Sequence, residues 1–467
     1  MVSVTIRNEK GLTKKTFSDR ILLADALDLM GHPVKKPCGG KGICGRCKVK
    51  AAGTLNPPAQ NGYVFACESV VAGEVYVDLT GSMGETESVS GGIMPHFPKN
   101  PLIDSGYGAA IDIGTTTIAA YIYNFPECKL VKTILRENPQ TRFGADVLTR
   151  IEFAGDNLSL LSSSVRNTIS EMLSGYDIKK TVITGNTVML HLYSGLDPSG
   201  LAEFPFEPKS LFGEWYGDSY IMPCISPYVG ADITAAIISS DMTKNKTALL
   251  LDLGTNGEMV LWSDGQFAVC STAAGPAFEA VGIKNGCSSV PGAINHVTHS
   301  GFTTISDKPP IGICGSGLVD IVALLLDSGK LDSSGYLKSE FEIPGSNIFV
   351  FPDDIRLFQL AKSAIRSGLD CLTESNGLSY DDIDSLYIAG GMGSFIDADS
   401  AVKTGIIPHS LASKTKILGN AAGMGASMLL LNKDFTQHAQ QIIKSATVLE
   451  LAGNDNFTQK YLKNMYF

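Results

Sequence analysis

No segment of this chain carries an apolar run long enough to span a bilayer, which removes the membrane-spanning helix classes. The opening stretch MVSVTIRNEKGLTKKTF lacks the apolar block of a signal peptide. It alternates apolar and polar residues as a strand does, so a cytoplasmic protein without membrane contact is the expectation. Positive charge is also in short supply: 37 Lys/Arg stand against 47 Asp/Glu, a net charge of −10 at pH 7. Nucleic acid is therefore a poor partner. No short tandem repeat is present. Nor do the cysteines form the evenly spread set of a disulfide framework: four of the ten fall within thirty residues and six are scattered.

What is present is globular. Hydrophobic residues make up 44% and charged residues 18% of 467 positions, enough for two or three domains. The charge is uneven. Residues 1–80 hold 11 Lys/Arg against 7 Asp/Glu, an excess of +4 that leaves −14 on the remainder. The basic residues concentrate at Lys35, Lys36, Lys41, Arg46, Lys48 and Lys50, a stretch with no carboxylate. It reads either as a solvated loop or as a docking face for an acidic redox donor.

The clustered cysteines are Cys38, Cys44, Cys47 and Cys67, with five, two and nineteen residues between them. A [2Fe-2S] cluster takes four thiolates, two per iron, and backbone N–H groups aimed at its sulfurs. Gly39, Gly40, Gly42 and Gly45 let the loop fold tightly with its amides inward. The spacing resembles plant-type ferredoxins, whose first gap is one residue shorter. The competing assignment is structural zinc, which more often uses two close pairs. The scattered six cysteines lie mostly in apolar or glycine-rich surroundings and read as ordinary buried residues.

Around this loop the pattern predicts strands at 2–7 and 13–18, a helix over 20–30, and strands at 47–52 and 74–79, a β-grasp order. Residues 1–80 would form this [2Fe-2S] ferredoxin-like domain. Residues 81–107, punctuated by Gly, Ser and Pro, read as a flexible linker. From 108 to 467 the chain reads as a two-lobed α/β body, with lobes at about 108–245 and 246–467. Its strand candidates are 109–113, 118–123, 181–184, 248–253, 258–262 and 385–389.

Two of those strands end alike. Asp112-Ile-Gly114-Thr115-Thr116-Thr117 and Asp252-Leu-Gly254-Thr255-Asn256-Gly257 each turn tightly into a second apolar strand, about 140 residues apart. The echo predicts a duplicated fold with one hairpin per lobe. Gly114 and Gly254 would let backbone N–H groups approach phosphate oxygens, and Thr115, Thr116, Thr255 and Asn256 add donors. Asp112 and Asp252 could hold hydrated Mg²⁺ across a cleft. Each turn taken alone is also an ordinary β-turn. A third stretch, Gly390-Gly391-Met392-Gly393 after the strand 385–389, resembles the adenosine motif of the actin, sugar-kinase and seventy-kilodalton heat-shock superfamily. Gly315 and Ser316 open a helix and are candidates for ribose or base contact. Asn420-Ala-Ala-Gly423-Met-Gly425 begins another helix, whose glycines would serve close packing. Hydrolysis needs a carboxylate to orient or deprotonate water. Asp232, at the start of a predicted helix, is the first choice and Glu258 the second. The simpler reading of Asp232 is an acid favourable at a helix N-terminus.

The ferredoxin-like cysteines followed by this ATPase resemble one known family, the ATP-dependent reductive activators of corrinoid proteins. Asn138-Pro-Gln with Phe143-Gly144-Ala-Asp146, Gly185-Asn186-Thr-Val-Met189-Leu-His191, and Asp252 through Glu258 are similar to that family's signatures. The resemblance implies ATP-driven one-electron reduction of Co(II) to Co(I) in a corrinoid protein of a methyltransferase system. It implies a [2Fe-2S] cluster, ATP and Mg²⁺ as cofactors, a low-potential donor such as ferredoxin or flavodoxin, and a homodimer. Three other readings compete: an activator of a 2-hydroxyacyl-CoA dehydratase-type enzyme, a nucleotide-binding redox sensor, and a sugar or acetate kinase. The last would have no use for Cys38–Cys67.

Overall fold

The computed structural model describes residues 1–8, 11–32, 34, 47–59, 62–79, 91–144, 146–391 and 395–467. The chain divides into two compact units, one of residues 1–85 with 139–156 and the other of 86–138 with 157–467. Among the described residues no helix is long and apolar enough to cross a membrane.

In the first unit, Val2–Asn8 and Gly11–Phe17 pair antiparallel. Val2–Asn8 also runs parallel to Val70–Asp78, whose other edge pairs antiparallel with Lys48–Asn56. A short strand, Tyr63–Phe65, closes the sheet. The alternation of the opening residues now has its cause. Val4 and Ile6 are fully buried and meet Leu23, Leu27, Val71 and Val77 in one apolar core. The helix covers Leu23–Leu29 rather than 20–30, because Ile21 and Leu22 bond into the sheet against Val71 and Val70. Lys48–Asn56 outruns the expected 47–52 because its register shifts at Gly53, a bulge with φ +120°.

The second unit holds two six-stranded sheets with the same core wiring. In the first, Gly106–Ile113, Thr117–Phe125 and Lys129–Glu137 form an antiparallel meander. Ile178–Gly185 then adds in parallel beside the first of them, followed by Ser219–Ile221. In the second sheet, Thr247–Leu253, Gly257–Ser263 and Gln266–Thr272 form the meander. Ser385–Ala389 and Thr415–Gly419 add in parallel. All six strand candidates of this region are present. Duplicated mixed α/β sheets of this wiring form an actin-like, sugar-kinase-like body.

Two helices bring the repeats together. Ala421–Leu431 is buried along its whole length and packs on Ala231–Ser240 and on the first sheet. Its glycines make the approach possible. A Cβ at Gly425 would collide with the Ala235 carbonyl, and one at Gly423 would lie within 3.0 Å of the Tyr121 ring. The reading of these glycines as packing residues therefore stands.

The expected linker over 81–107 is corrected at its C-terminal side. Ile93 N–H donates to the Leu418 carbonyl, and Asn100 and Leu102 N–H donate to Leu431 and Leu430. Asn432 Nδ2 donates to the Pro98 carbonyl at 2.9 Å, and Phe97 meets Phe435 edge-on. Residues 91–102 are thus a strap laced to the second repeat. The first strand of the body begins at Gly106. Residues 80–90 lie outside the described residues.

Candidate functional site

Strand ends and helix starts converge on one cleft. Asp112 lies next to the end of Gly106–Ile113 and Asp252 next to the end of Thr247–Leu253. Asp232 opens the helix Ala231–Ser240, and Glu258 pairs directly with Asp252 across the second hairpin. All four predicted carboxylates come together here. Each keeps partial access to solvent, yet each is packed deeply enough for burial to dominate its ionisation.

Burial pushes Asp112 up to about 6, opposed by a hydrogen bond from Asn420. Burial and then the Asp112 charge push Asp252 up to about 7. Asp232 is raised by burial and by Asp252 and Asp112. Glu258 is raised well above the usual range by burial and by Asp232 and Asp252, against a hydrogen bond from Asn256. Among the described residues no cationic side chain contributes to any of the four shifts. A group of hard oxygen donors, mutually repelling and, among the described residues, without a lysine or arginine to offset them, is the chemistry that suits a hydrated divalent cation.

This charge balance predicts a pH dependence. A carboxyl whose folded value is raised binds more protons folded than unfolded, so its contribution to stability falls as pH rises from about 4 through 7. A divalent cation binds the ionised form and reverses that loss. The increase in Tm on adding MgATP is therefore expected to be larger at pH 8 than at pH 6, with affinity rising by up to about tenfold per pH unit for each proton released. Comparing the increments removes unrelated titrations, such as that of buried His191. An increment independent of pH would count against the shifts.

The two turns are built for close approach. Gly114 N–H bonds the Thr117 carbonyl at 3.0 Å, and Gly254 N–H bonds that of Asn256 at 3.1 Å. Gly390, at φ +95°, leaves room beside Asp252; a Cβ there would stand 2.6 Å from Asp252 Oδ1. Gly391 is exposed with open space around it, and Gly393 lies outside the described residues.

Other predicted contacts are engaged in the surrounding fold. Gly257 is buried and faces Ile365 and Thr272 in the second repeat's core. Thr117 is the first residue of a strand, paired with Glu137. Gly315 is buried, and Ser316, 2% exposed, donates its hydroxyl to the Asn295 carbonyl at 2.9 Å. The expected ribose or base contact by the Ser316 hydroxyl is therefore corrected: that hydroxyl ties the start of the helix Gly315–Asp327 to the strand Ala293–Thr298.

The structure also recruits residues to which the sequence reading assigned no role in the site. Asn420 caps the helix Ala421–Leu431 and donates Nδ2 to Asp112 Oδ2 at 2.9 Å, joining the repeats. Asn138 donates to the Gly114 carbonyl at 2.8 Å and supports the first turn. Asn186 caps Thr187–Ser194 and holds Thr115 through a 3.2 Å bond to its hydroxyl. His191, in that helix, serves the fold instead: it is fully buried, with Nδ1 2.7 Å from the Thr187 carbonyl and Nε2 accepting from Lys209 N–H at 3.0 Å. Glu279 accepts from both Thr116 and Thr255. The signal for Asn138, Asn186 and His191 was their presence in the quoted signatures. Asn420 was legible only as the start of a packing helix, and Glu279 had no signal.

In the first unit, the sulfurs of Cys47 and Cys67 lie 3.1 Å apart, with the residues 1% and 8% exposed. Two soft donors converging in an apolar shell fit a thiolate-ligated metal group. Cys38 and Cys44, with the glycine loop, lie outside the described residues.

The duplicated sheets and their carboxylate-lined cleft define the class: an ATPase-type fold of the actin and sugar-kinase superfamily. Family models place the chain more narrowly. Residues 246–467 match the C-terminal domain of RACo, described as the ASKHA domain, and residues 107–245 match the RACo middle region. The corrinoid activation enzyme RamQ of Eubacterium limosum is 31% identical over 438 residues, covering 80% of this chain and 72% of that protein. The [Co(II) methylated amine-specific corrinoid protein] reductase of Methanosarcina barkeri is 25% identical over 414 residues, 76% of each. The solved structure of a reductive activator for corrinoid, iron-sulfur protein superposes with a TM-score of 0.73 at 25% identity, covering 100% of this chain and 98% of that one. The chain belongs to the family of reductive activators of corrinoid proteins.

Proposed function

We propose that this protein uses ATP to drive one-electron reduction of a corrinoid protein's cobalt from Co(II) to Co(I). The observation that carries the reading is the 31% identity to RamQ along 438 residues. The cleft geometry supports the nucleotide half and the Cys47–Cys67 convergence supports the redox half.

In this reading residues 1–80 are a ferredoxin-like domain and residues 108–467 the ATPase, with lobes at about 108–245 and 246–467. Cys38, Cys44, Cys47 and Cys67 hold a [2Fe-2S] cluster, which when bound supplies a one-electron carrier matched to a one-electron cobalt step. Gly114, Thr115, Thr116, Gly254, Thr255 and Asn256 bind phosphates, and Gly390 and Gly391 line the adenosine side. Asp112 and Asp252 hold hydrated Mg²⁺, whose charge would offset the phosphates and carboxylates together. Asp232 takes the proton of the attacking water. The electron comes from a low-potential donor such as ferredoxin or flavodoxin, and the protein works as a cytoplasmic homodimer. Reduction from ordinary donors is uphill. A nucleotide that prefers one arrangement of the lobes can shift affinity for the Co(II) partner, and hydrolysis then makes release directional.

The test mixes chemically reduced protein, MgATP and a Co(II) corrinoid protein under anaerobic conditions. Growth of the Co(I) absorption spectrum only when ATP is present is expected. A redox sensor or a dehydratase activator would leave the cobalt spectrum unchanged.

A further inference from the structure

Glu279 sits where the two phosphate turns meet. Its Oε2 accepts from Thr116 Oγ1 at 3.0 Å, in the first repeat's turn. Its Oε1 accepts from Thr255 Oγ1 at 2.7 Å, in the second repeat's turn. One carboxylate therefore bridges the cleft through the same hydroxyls assigned above to the phosphates.

This placement is built in. Glu279 ends the short turn Pro276–Glu279, flanked by Gly275 at φ +78° and Ala280 at φ +56°. Ala280 N–H bonds the Ala277 carbonyl and Val281 N–H that of Pro276. Phe278, 1% exposed, anchors the turn by meeting Phe358 edge-on at 5.6 Å. The carboxylate is thus held from the core side of the second repeat.

A threonine hydroxyl carries one proton and can donate to one acceptor at a time. If Thr116 and Thr255 donate to a phosphate, Glu279 loses both bonds, and two anions then share a small space. We propose that Glu279 is a specificity-determining residue: an internal anion that the terminal phosphate of a nucleoside triphosphate must displace. The inference rests on the ATP reading of the cleft. Its consequence is that Glu279 restrains triphosphate binding and exchanges one bridge between the lobes for another, so the turn 276–279 senses whether a third phosphate is present.

The test measures binding of Mg·AMP-PNP and Mg·ADP to the full-length protein by calorimetry, for wild type, Glu279→Gln and Glu279→Ala. Glutamine removes the charge and leaves one acceptor for two hydroxyls; alanine frees both. Each variant is expected to bind Mg·AMP-PNP about tenfold more tightly, with Mg·ADP changed less than about twofold. Glu279→Asp, one methylene too short to reach both hydroxyls, shifts in the same direction and keeps the test open if the other two fail to fold. Unchanged or weaker Mg·AMP-PNP binding in folded variants overturns the proposal. Equal tightening of both nucleotides also overturns it, because the competition would then lie at an inner phosphate. A wild type that binds neither nucleotide overturns the ATP reading and takes this inference with it. A wild type that binds normally beside an indifferent Glu279→Gln overturns the inference alone.

Discussion

Replacing Asp232 with asparagine is expected to lower ATP turnover by about 10²–10⁴-fold while nucleotide still binds. Asp232 opens the helix Ala231–Ser240, with Oδ1 accepting from Ile233 N–H at 2.9 Å. Gly230 before it lets the chain pass close to Asn186; a Cβ there would lie 2.5 Å from Asn186 Cα. The carboxylate is thus fixed beside the residue that holds Thr115. Burial, Asp252 and Asp112 raise its proton affinity. An acceptor poised near the working pH is what a general base requires, whereas an ordinary surface aspartate is too weak a base. Asparagine keeps the shape and removes the basicity. Phosphate release and Mg·AMP-PNP calorimetry on the same sample separate the two effects. Near-normal turnover would transfer the role to Glu258, the other strongly raised carboxyl. Loss of binding in a folded variant would mean that Asp232 holds the nucleotide instead.

The site was legible where chemistry is written into consecutive residues. Asp112 and Asp252 stand two residues before the glycines of two matching turns, so the strand, turn and carboxylate could be read together. The duplicated sheets were legible for the same reason, since both hairpins are local. Partners fixed by the tertiary fold were not. Asn420 meets Asp112 across 308 positions, and Glu279 meets Thr116 across 163. Asn420 was visible only as the start of a packing helix, and Glu279 lies in no pattern that a linear reading weights. Ser316 shows the opposite error: its motif suggests ligand contact, yet its hydroxyl bonds the Asn295 carbonyl. The strap at 91–102 was missed because backbone hydrogen bonds leave no side-chain signature. Gly, Pro and Ser look the same in a loose tether as in a segment pinned to a neighbouring helix.

Replacing Cys67 with serine is expected to abolish Co(II) reduction while ATP hydrolysis stays within about twofold of wild type. A hydroxyl is a much poorer ligand than a thiolate for iron, so the visible absorption of an iron-sulfur centre should be lost or strongly altered after anaerobic reconstitution. The substitution adds little bulk, but Cys67 sits in a core with Val71 and Ala66, where an unsatisfied hydroxyl costs about 1–3 kcal/mol. The melting of the first unit must therefore be followed alongside activity. Cys47, 3.1 Å away and less exposed, should behave the same way. Cys128 is the control: it lies partly exposed in the turn after Thr117–Phe125, at φ +54°, and Cys128→Ser should change neither readout. The pattern separates redox from nucleotide chemistry, because Cys47 and Cys67 belong to one unit and the carboxylates to the other. Loss of ATP hydrolysis together with cobalt reduction in a folded Cys67→Ser protein would mean that the ATPase requires the metal centre. An ATPase that continues unchanged leaves the cysteines with the electron and Asp112, Asp232 and Asp252 with the phosphate.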